Sequence, residues 1–568
     1  MAFCLAAAHA AAAQAADLAD TVFVGGAVKT PSGWAAAAAV RAGVIVAVGQ
    51  DSDVRPLVGP STRVVALNGD ALLPGLHDSH VHPLFAGLAQ YDCRLPSGGG
   101  ATAVKATLRA CVAAARPGDW IVGGSWVAAA FRPGEQNRKL LDEVAPNNPV
   151  LLNDEALHSV WVNSAALRLA GVDRRTPDPQ GGVIEHDAAG EPNGLLRENA
   201  TRLAENVVPP ASLGLRRKAL TLVANQMLSY GVTSVTIASV RWPDVVPLSQ
   251  LSGEGLIKQR MRGCIVWAPG PPEVRGMGDD LIARRAEFAR PRFALDCVKL
   301  FLDGVPTESH TGAMLEPYAD SPHEGPDERP AKGILQIPQD ELNAAVSRFD
   351  EAGLSVKFHA AGDGAVRAAI DAVAAARRAN GYGGPFHAVA HATFVAIGDI
   401  PRARDLELAW EFSPYIWYPT PMAASDVAKA VGPERMKRWA PVREALDTGA
   451  LVVAGSDWPV VPSVNPWLGL ETMVTRRNPG GGGAALGGAE AVSLEEAFKV
   501  FTLNGARLMG QSDKVGSIEV GKHADLIVTA GNPFTSPVTA LHDTRVKMTF
   551  IDGELVFDAA HPPVLEAR

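Results

Sequence analysis

The stretch LLPGLHDSHVHPLF at residues 72–85 places three histidines directly after a chain-turning Pro-Gly. In a β-strand, successive side chains point to opposite faces, so His80 and His82 share one face and His77 lies on the other. Two imidazoles on one face indicate a metal site. A hydrogen-bonded pair of buried histidines at a strand end fits an isolated pattern of this kind as well, so both explanations stay open at this point.

Seven further apolar runs alternate with helical patterns after this stretch, which predicts β-α units and a parallel sheet. The runs are GVTSVTIAS (231–239), QRMRGCIVW (259–267), DCVKLFLDG (296–304), LSVKFHAAGD (354–363), HAVAHATFV (387–395), LELAWEFSPY (406–415) and ALVVAGSDWP (450–459). With the histidine strand they make eight, the strand number of a (β/α)8 TIM barrel. In such barrels the functional side chains lie at the carboxyl ends of the strands.

Both ends of the chain read as short Val-rich strands with Gly-containing turns, so we expect them to pair into one composite β-sandwich. About 150 residues separate the first two barrel strands, where a β-α unit needs roughly 30 to 40, so a large insertion follows strand one. Leaving from that strand's carboxyl end, it is expected to cover the barrel mouth as a lid. The expected class is α/β, with a possible signal peptide at 1–15, sandwich parts at 16–73 and 513–568, barrel strand one at 74–84, the lid at 85–215 and the remaining barrel at 216–512.

Polar residues interrupt several of the apolar runs. If these runs are barrel strands, the polar residues would meet at one rim of the barrel. They are His80 and His82 in run one, Lys299 in run four, His359 in run five, His391 in run six and Asp457 in run eight. Singly, each has an ordinary explanation, as a hydrogen-bonded histidine, a lysine at the edge of the core or an aspartate that caps a helix. A metal site accounts for all six together, and we therefore favour it.

Composition limits the expected partners. The chain has 568 residues, of which 47% are hydrophobic, and a formal net charge of -9, so it can build a large core but offers no basic field for nucleic acid. No apolar run of membrane-spanning length follows the N-terminal segment, so no membrane span is expected.

The N-terminal segment MAFCLAAAHAAAAQAADLAD is small and apolar, with Ala13-Gln14-Ala15 as a cleavage site, although it lacks a Lys or Arg. We expect export to the periplasm or medium, and a cytoplasmic location if this leader is not a signal. The cysteines lie far apart without a C-x-x-C pattern, which argues against a thiolate zinc site. Cys93 and Cys111 either form a disulfide or stay buried free thiols.

Several motifs resemble those of the amidohydrolase superfamily. PGLHDSHVHP resembles its strand-one segment, VKLFLDG its strand-four lysine segment, AGSDWPV its strand-eight Ser-Asp, and GSIEVGKHADLIV the return to the β-sandwich. LHSVWVNSAALRLAGV, GEPNGLLRE and FHAAGDGAV are similar to the YtcJ-like group, which includes N-substituted formamide deformylase and the AepA-type proteins. The strand-six histidine of this group usually follows a Glu, whereas here Ala390 precedes His391.

This resemblance implies a metal-dependent hydrolase of amide-type C–N bonds. It implies zinc, one or two ions per chain, with His80, His82 and Asp457 at one ion and His359 and His391 at the other. Lys299 would take up carbon dioxide and bridge the ions as a carbamate. Asp457 would pass a proton to the leaving nitrogen. A homodimer is also compatible with the resemblance.

Substrate contacts are harder to assign from the sequence. Aromatic residues near the predicted strand ends and in the insertion suggest an aromatic or apolar amide as the small-molecule substrate, although they equally suit packing of lid against barrel. We select Trp126, His158, Trp417 and Trp458 as substrate-binding candidates, and Asp303 and Asp363 as residues that orient metal ligands.

Three other functions stay open. A hydrolytic deaminase of a heterocycle uses one metal and no modified lysine, so the presence of Lys299 counts against it. An esterase or lactonase could use the same site, because a metal-activated hydroxide also attacks esters. A non-catalytic exported binding protein that has lost turnover is the third, and the presence of all six candidate ligands argues against such decay.

Overall fold

The computed structural model describes residues 18–96, 98–269, 272–307, 309–321, 331–418, 420, 422–461 and 463–563. The predicted signal peptide at 1–15 lies outside these residues. Among the residues described, we find no helix long and apolar enough to span a bilayer.

Eight parallel strands form the centre of the molecule, and each of the predicted apolar runs contains one of them. We number them β1 to β8: Leu76–Val81, Val232–Val240, Arg260–Val266, Phe293–Phe301, Ser355–Ala360, His387–His391, Leu408–Phe412 and Val452–Ala454. Each strand pairs with the next one along the chain, and a parallel bridge from Val81 to Trp458 brings β1 against the segment after β8. The predicted α/β fold with a TIM barrel is therefore confirmed.

Helices follow the barrel strands and cover their outer faces. Apart from the helices of the insertion and of the sandwich, the described α-helices are Pro83–Leu88, Leu213–Ser229, Trp242–Gly253, Pro272–Phe288, Gln339–Glu351, Asp363–Asn380, Arg402–Asp405, Ala428–Val431, Pro433–Met436, Val442–Asp447, Pro466–Thr475, Leu494–Val500 and Leu503–Leu508. A π-helix spans Met422–Val427. The barrel strands are buried on both faces, which explains why they are nearly continuous apolar runs.

The two chain ends pair into a β-sandwich, as expected. One sheet contains Thr21–Val24, Ala37–Arg41, Val44–Gly49 and Arg63–Ala66; the other contains Ala27–Thr30, Gly33–Ala35, Ala71–Pro74, Leu526–Thr529, Val546–Ile551 and Glu554–Asp558. The short helix Asp51–Val54 packs beside the first sheet. Phe23 and Phe550 meet edge to face at 5.3 Å between the sheets, so the core of the sandwich is built from both ends of the chain.

The insertion after β1 has a six-stranded sheet of its own. Its strands are Cys93–Arg94, Ile121–Trp126, Val150–Asp154, Ser159–Val162, Gly182–His186 and Pro192–Glu198, and its helices are Ala101–Ala114, Arg138–Asp142, Ser164–Ala170 and Thr201–Glu205. Asn163 caps the third of these helices by accepting a hydrogen bond from the Ala166 N–H at 3.0 Å. The predicted domain boundaries themselves stay predictions.

The structure contains two disulfides among the described residues. Cys93 and Cys111, for which the sequence left two possibilities open, are bonded to each other within the insertion. Cys264 on β3 and Cys297 on β4 form the second, between neighbouring strands of the barrel. Sequence reasoning did not pair these two, because their partnership depends on the register of the two strands.

A charged cluster joins the sandwich to the barrel. Asp552, in the hairpin turn of the sandwich, accepts hydrogen bonds from Arg260 and from Arg292 Nη2, the latter at 2.6 Å. His523 Nδ1 lies 2.7 Å from the same carboxylate. Burial alone would raise the pKa of Asp552, but the charges of Arg260 and Arg292 outweigh it and hold the pKa below its usual value. The charged form of Asp552 therefore stabilises the fold.

We predict that Asp552→Asn lowers the free energy of unfolding at pH 7 by about 2 kcal/mol, because two half-buried guanidinium groups lose their common carboxylate, although Arg260 keeps a second partner in Asp525. Since the folded pKa lies below the unfolded one, this stabilisation is present above the ordinary pKa of Asp and is lost as the pH falls through the folded pKa. The difference in melting temperature between the two proteins should therefore shrink as the pH is lowered below about 4. Thermal unfolding across this pH range measures it.

Glu554→Gln is the matched control, since Glu554 pairs with Lys258 at 2.7 Å on the surface. An exposed pair contributes about 0 to 1 kcal/mol, so this variant should unfold close to the wild type. Equal losses in both variants, or a loss in Asp552→Asn that persists unchanged at acid pH, would contradict the role assigned to Asp552.

Candidate metal centre

The six predicted ligands meet at one end of the barrel. They all line a cavity of about 600 Å³ between the barrel and the insertion: His80 on β1, His82 just after it, Lys299 on β4, His359 on β5, His391 at the end of β6 and Asp457 after β8. This convergence follows from the parallel strands, whose carboxyl ends all reach the same rim. The alternation of side chains in β1 brings His80 and His82 to this rim together.

Asp457 lies at the centre of three of the histidines. Its Oδ1 is 3.4 Å from His80 Nε2 and 3.2 Å from His82 Nε2, and its Oδ2 is 3.7 Å from His391 Nδ1. Ligand atoms of His80, His391 and Asp457 all lie within 4.8 Å of one another. Imidazole nitrogens with a carboxylate oxygen are a donor set that suits a divalent zinc ion.

The division of ligands between two ions stays a prediction. The resemblance implied His80, His82 and Asp457 around one ion, whereas the tight group in the structure contains His391 in addition to His80 and Asp457. The His391 ring is 4.8 Å from the His80 ring and 4.6 Å from the His359 ring. His391 therefore lies between His80 and His359.

Backbone hydrogen bonds at the seam of the barrel fix these ligands. The Asp457 N–H donates to the His80 carbonyl at 2.7 Å, and the His82 N–H donates to the Trp458 carbonyl at 3.0 Å. Gly455 lies against the same strand, and a Cβ at this position would be 2.3 Å from the His80 nitrogen. Only glycine allows the two segments to approach this closely.

The three ligand histidines inside the barrel are deeply buried. Burial lowers the pKa of His80, His359 and His391 well below the usual value for histidine. Each ring is therefore neutral and keeps a lone pair for a metal.

Lys299 differs from the second lysine in the barrel interior. Lys357 is paired with Lys299 in the register of β4 and β5; its ammonium donates to the Ser79 carbonyl at 2.9 Å and to Glu411. Lys299 Nζ makes no hydrogen bond to any residue the structure describes, and lies 5.0 Å from the centre of the Phe301 ring. Burial, together with the charge of Lys357, lowers the pKa of Lys299 to about 7.

Glu411 and Lys357 were missed by the sequence analysis. Glu411 Oε1 lies 2.5 Å from His80 Nδ1, and its other oxygen accepts from Lys357. Because His80 donates through Nδ1, its Nε2 keeps the lone pair that faces Asp457 and the cavity. The available signal was a charged residue inside each of two apolar runs, in the LSVKFH and LAWEF segments.

Asp303 and Asp363, the two predicted orienting residues, have different surroundings. Asp303 Oδ1 is 3.1 Å from His359 Nδ1, and its carboxylate accepts the N–H groups of Ala313, Ala361 and Gly362. Asp363, in the first turn of its helix, accepts the Leu315 N–H at 2.8 Å. Asp303 thus contacts a candidate ligand, whereas Asp363 holds a loop.

His158 reaches the cavity from the insertion. Its ring centre lies 4.8 Å from that of His359, and its Nδ1 is 2.8 Å from Glu198 Oε2. Thr311 donates to the other Glu198 oxygen at 2.6 Å. Burial lowers the pKa of His158, but the Glu198 carboxylate more than offsets this and raises it to about 9. Glu198 and Thr311 were not identified from the sequence, because they lie far from His158 along the chain.

The three tryptophans selected as substrate contacts do not line this cavity. Trp126 donates from Nε1 to the Leu152 carbonyl at 2.9 Å inside the core of the insertion. Trp417 is buried under the Arg476 guanidinium, 4.5 Å from its ring centre. Trp458 faces a neighbouring cavity of about 110 Å³. The apolar part of the main cavity wall consists of other side chains, including Phe85, Phe301, Ile416, Met422 and Trp439.

Comparison with known proteins identifies the family. The sequence profile of the amidohydrolase family matches residues 63–557. The chain belongs to the amidohydrolase family. YtcJ of Bacillus subtilis is 30% identical to this amidohydrolase over 531 residues, which cover 91% of this chain and 95% of YtcJ.

Two further proteins resemble this amidohydrolase over nearly their whole length. N-substituted formamide deformylase of Arthrobacter pascens is 28% identical over 92% of this chain and 95% of its own. The structure of an uncharacterized metal-dependent hydrolase from Pyrococcus horikoshii shares the fold with a TM-score of 0.71 at 22% identity, over 91% of this chain and 99% of its own. The family and the donor set together make this amidohydrolase a hydrolase that uses a divalent metal.

We predict that Glu411→Gln weakens zinc binding by about ten- to a hundred-fold, because His80 loses the charged acceptor that orients its ring. The same change should lower the free energy of unfolding by about 3 kcal/mol, since the Lys357 ammonium is left buried without its counter-charge. Zinc titration against a competing chelator and thermal unfolding measure the two effects.

The double variant Lys357→Met with Glu411→Leu separates these effects. Removing both charges should restore most of the stability while leaving zinc binding weak. Wild-type zinc affinity in the double variant would show that Glu411 does not act through His80.

Proposed function

We propose that this amidohydrolase hydrolyses an amide-type C–N bond other than a peptide bond, in an N-acyl or N-formyl compound. The observation that carries the proposal is the convergence of imidazole and carboxylate donors in one cavity that also has apolar walls. Such a cavity, of a size that encloses a small molecule, suits an organic substrate with one reactive polar group. The deformylase relative, whose name specifies a substituted formamide, supports this class of bond.

The residues present fit a zinc centre. His80, His391 and Asp457 would hold one ion, with His82 beside them, and His359 lies on the side where a second would bind. When bound, zinc would lower the pKa of water towards neutrality and polarise the substrate carbonyl.

The protein's own groups handle the proton. The Asp457 carboxylate faces the cavity among the histidines, so it is placed to accept the proton that water loses as its oxygen attacks the carbonyl carbon. When the C–N bond breaks, Asp457 returns this proton to the leaving nitrogen. His158, with Nδ1 engaged by Glu198, has Nε2 left to donate to the substrate carbonyl.

Lys299 is proposed to carry a carbamate. Its neutral amine, which the lowered pKa of about 7 makes available, would attack carbon dioxide, form an N–C bond and release one proton, so that an uncharged amine becomes a negatively charged carbamate. The support is geometric: Lys299 faces the cavity without a hydrogen-bond acceptor among the described residues, whereas Lys357 is held by Ser79 and Glu411. Lys357 is therefore not available for the same reaction.

The first test compares the wild type with Lys299→Ala. Metal content is measured on purified protein, and turnover on a panel of N-formyl, N-acyl and ester compounds. We expect up to two zinc ions per chain in the wild type, fewer in the variant, and a loss of amide hydrolysis by a factor of at least about 100. Zinc uptake by metal-free wild type should also increase with added bicarbonate.

Lys437→Met is the control, because Lys437 is exposed and its one ion-pair partner among the described residues is the neighbouring Glu434. It should match the wild type in metal content and turnover. One metal in both the wild type and Lys299→Ala, with activity retained in the variant, would contradict the carbamate and favour a mononuclear deaminase. Turnover of esters without amides would make the protein an esterase or lactonase.

We also propose that the protein is exported. The two disulfides support this, since such bonds persist mainly in oxidising compartments. Fractionation of expressing cells followed by intact-mass measurement tests it: we expect protein outside the cytoplasm, shortened at its N-terminus, with all four of these cysteines oxidised. Full-length protein confined to the cytoplasm would contradict export.

A further inference from the structure

Two arginines line the same cavity, and both are far from every candidate ligand in the sequence. Arg202 lies in the helix Thr201–Glu205, at the end of the insertion, and Arg241 directly follows the last residue of β2. The carboxyl end of a barrel strand is where substrate-binding groups lie in this fold. The insertion and the barrel thus each contribute one positive charge to the same wall.

Neither guanidinium has a counter-ion in the part of the chain that the structure describes. Nearby arginines do have partners: Arg217 is paired with Glu254 at 2.5 Å, and Arg216 donates to the carbonyls of Ala211 and Pro243. Among the described residues, neither Arg202 nor Arg241 forms an ion pair or a side-chain hydrogen bond of this kind.

The nearest acidic groups, Glu205 beside Arg202 and Asp244 beside Arg241, compensate the two charges in part but form no salt bridge with them among the described residues. Asp244 uses its carboxylate to accept the backbone N–H of Arg241 at 2.8 Å, at the start of the following helix. Glu205 and Arg241 both line the cavity and are both exposed to solvent, which screens their charges in part, whereas Arg202 is half-buried. The side chains of Arg202 and Arg241 therefore remain free to bind an anion.

The two positive charges are close enough to interact. Burial, and next the charge of Arg241, lower the pKa of Arg202 from its usual value, although the group stays charged at neutral pH. Solvent screens this repulsion in part because Arg241 is exposed, and an anion bound between the two guanidinium groups would relieve what remains.

We propose that Arg202 and Arg241 bind a carboxylate of the substrate, so that the substrate class is an amide that also carries a carboxylate, such as an N-acyl or N-formyl amino acid. Guanidinium groups bind carboxylates through paired hydrogen bonds, which favours this anion over a neutral polar group. The scissile amide would lie at Asp457 and the histidines, and the apolar wall would contact the side chain between them. This inference rests on the proposed function.

The experiment uses two substrates that differ only in the carboxylate: N-formylphenylalanine and N-formylphenethylamine. Zinc-loaded wild type, Arg202→Gln, Arg241→Gln and two controls are compared by kcat and KM. We expect the wild type to favour the carboxylate-bearing substrate by about tenfold or more in kcat/KM, mainly through KM. Each arginine variant should lose about tenfold or more on that substrate and stay within about twofold on the neutral one.

Glu205→Gln and Arg217→Gln are the controls. Glu205→Gln removes the cavity's exposed negative charge and should leave KM for the carboxylate substrate unchanged or lower. Arg217→Gln removes a paired arginine that does not line the cavity and should change neither substrate. Zinc content and melting temperature are measured for every variant, so that a folding defect is recognised.

Direct binding separates this inference from the proposed function. Binding of 3-phenylpropanoate and of its neutral alcohol 3-phenylpropanol is measured by calorimetry on wild type and on the double variant Arg202→Gln with Arg241→Gln. If the acid binds wild type in an arginine-dependent manner while no amide is hydrolysed, the anion site stands and the proposed function fails. If both formyl substrates react equally and the variants affect them equally, the amide function stands and the anion site is overturned.

Discussion

The seam at which the barrel closes is the constraint on which the site depends. β8 is short, and the chain beyond it is held to β1 by hydrogen bonds from Asp457 to His80 and from His82 to Trp458. The same two bonds that close the barrel therefore place a carboxylate against two imidazoles. Gly455 makes the approach possible, because any side chain there would collide with the His80 backbone. The contacts that close the barrel are therefore the same contacts that bring the donor groups together.

Below this seam, the barrel interior carries buried charges that have to be compensated. Glu411 is fully buried and lies between Lys357 and His80, so one carboxylate neutralises an ammonium and orients a ligand. Buried ion pairs contribute little net stability compared with apolar packing, which indicates that this pair is kept for what it does to His80. Lys299, on the neighbouring strand, has a different environment, because its ammonium forms no hydrogen bond with a described residue.

The sequence predicted those parts of the molecule that follow from periodicity. Eight apolar runs gave the barrel, and the carboxyl ends of parallel strands brought His80 to the rim with the other ligands. Contacts that depend on three-dimensional register were missed: Glu411 touches His80 across 331 residues, and Glu198 touches His158 across 40. Trp126 was misplaced because composition identifies an aromatic residue near a strand end without saying which face of the insertion it packs on.

The pairing of the sandwich has a consequence for how the protein is made. The strand Ala71–Pro74, which leads directly into β1, lies between Ala27–Thr30 and Leu526–Thr529. One of its neighbours is therefore synthesised roughly 450 residues after it, which gives this part of the fold a very high contact order. Until the ribosome has translated the last strands, Ala71–Pro74 has an open sheet edge, the kind of surface that chaperones shield from aggregation. The sandwich strand that leads into β1 is therefore among the first strands to be synthesised and among the last to be held on both sides.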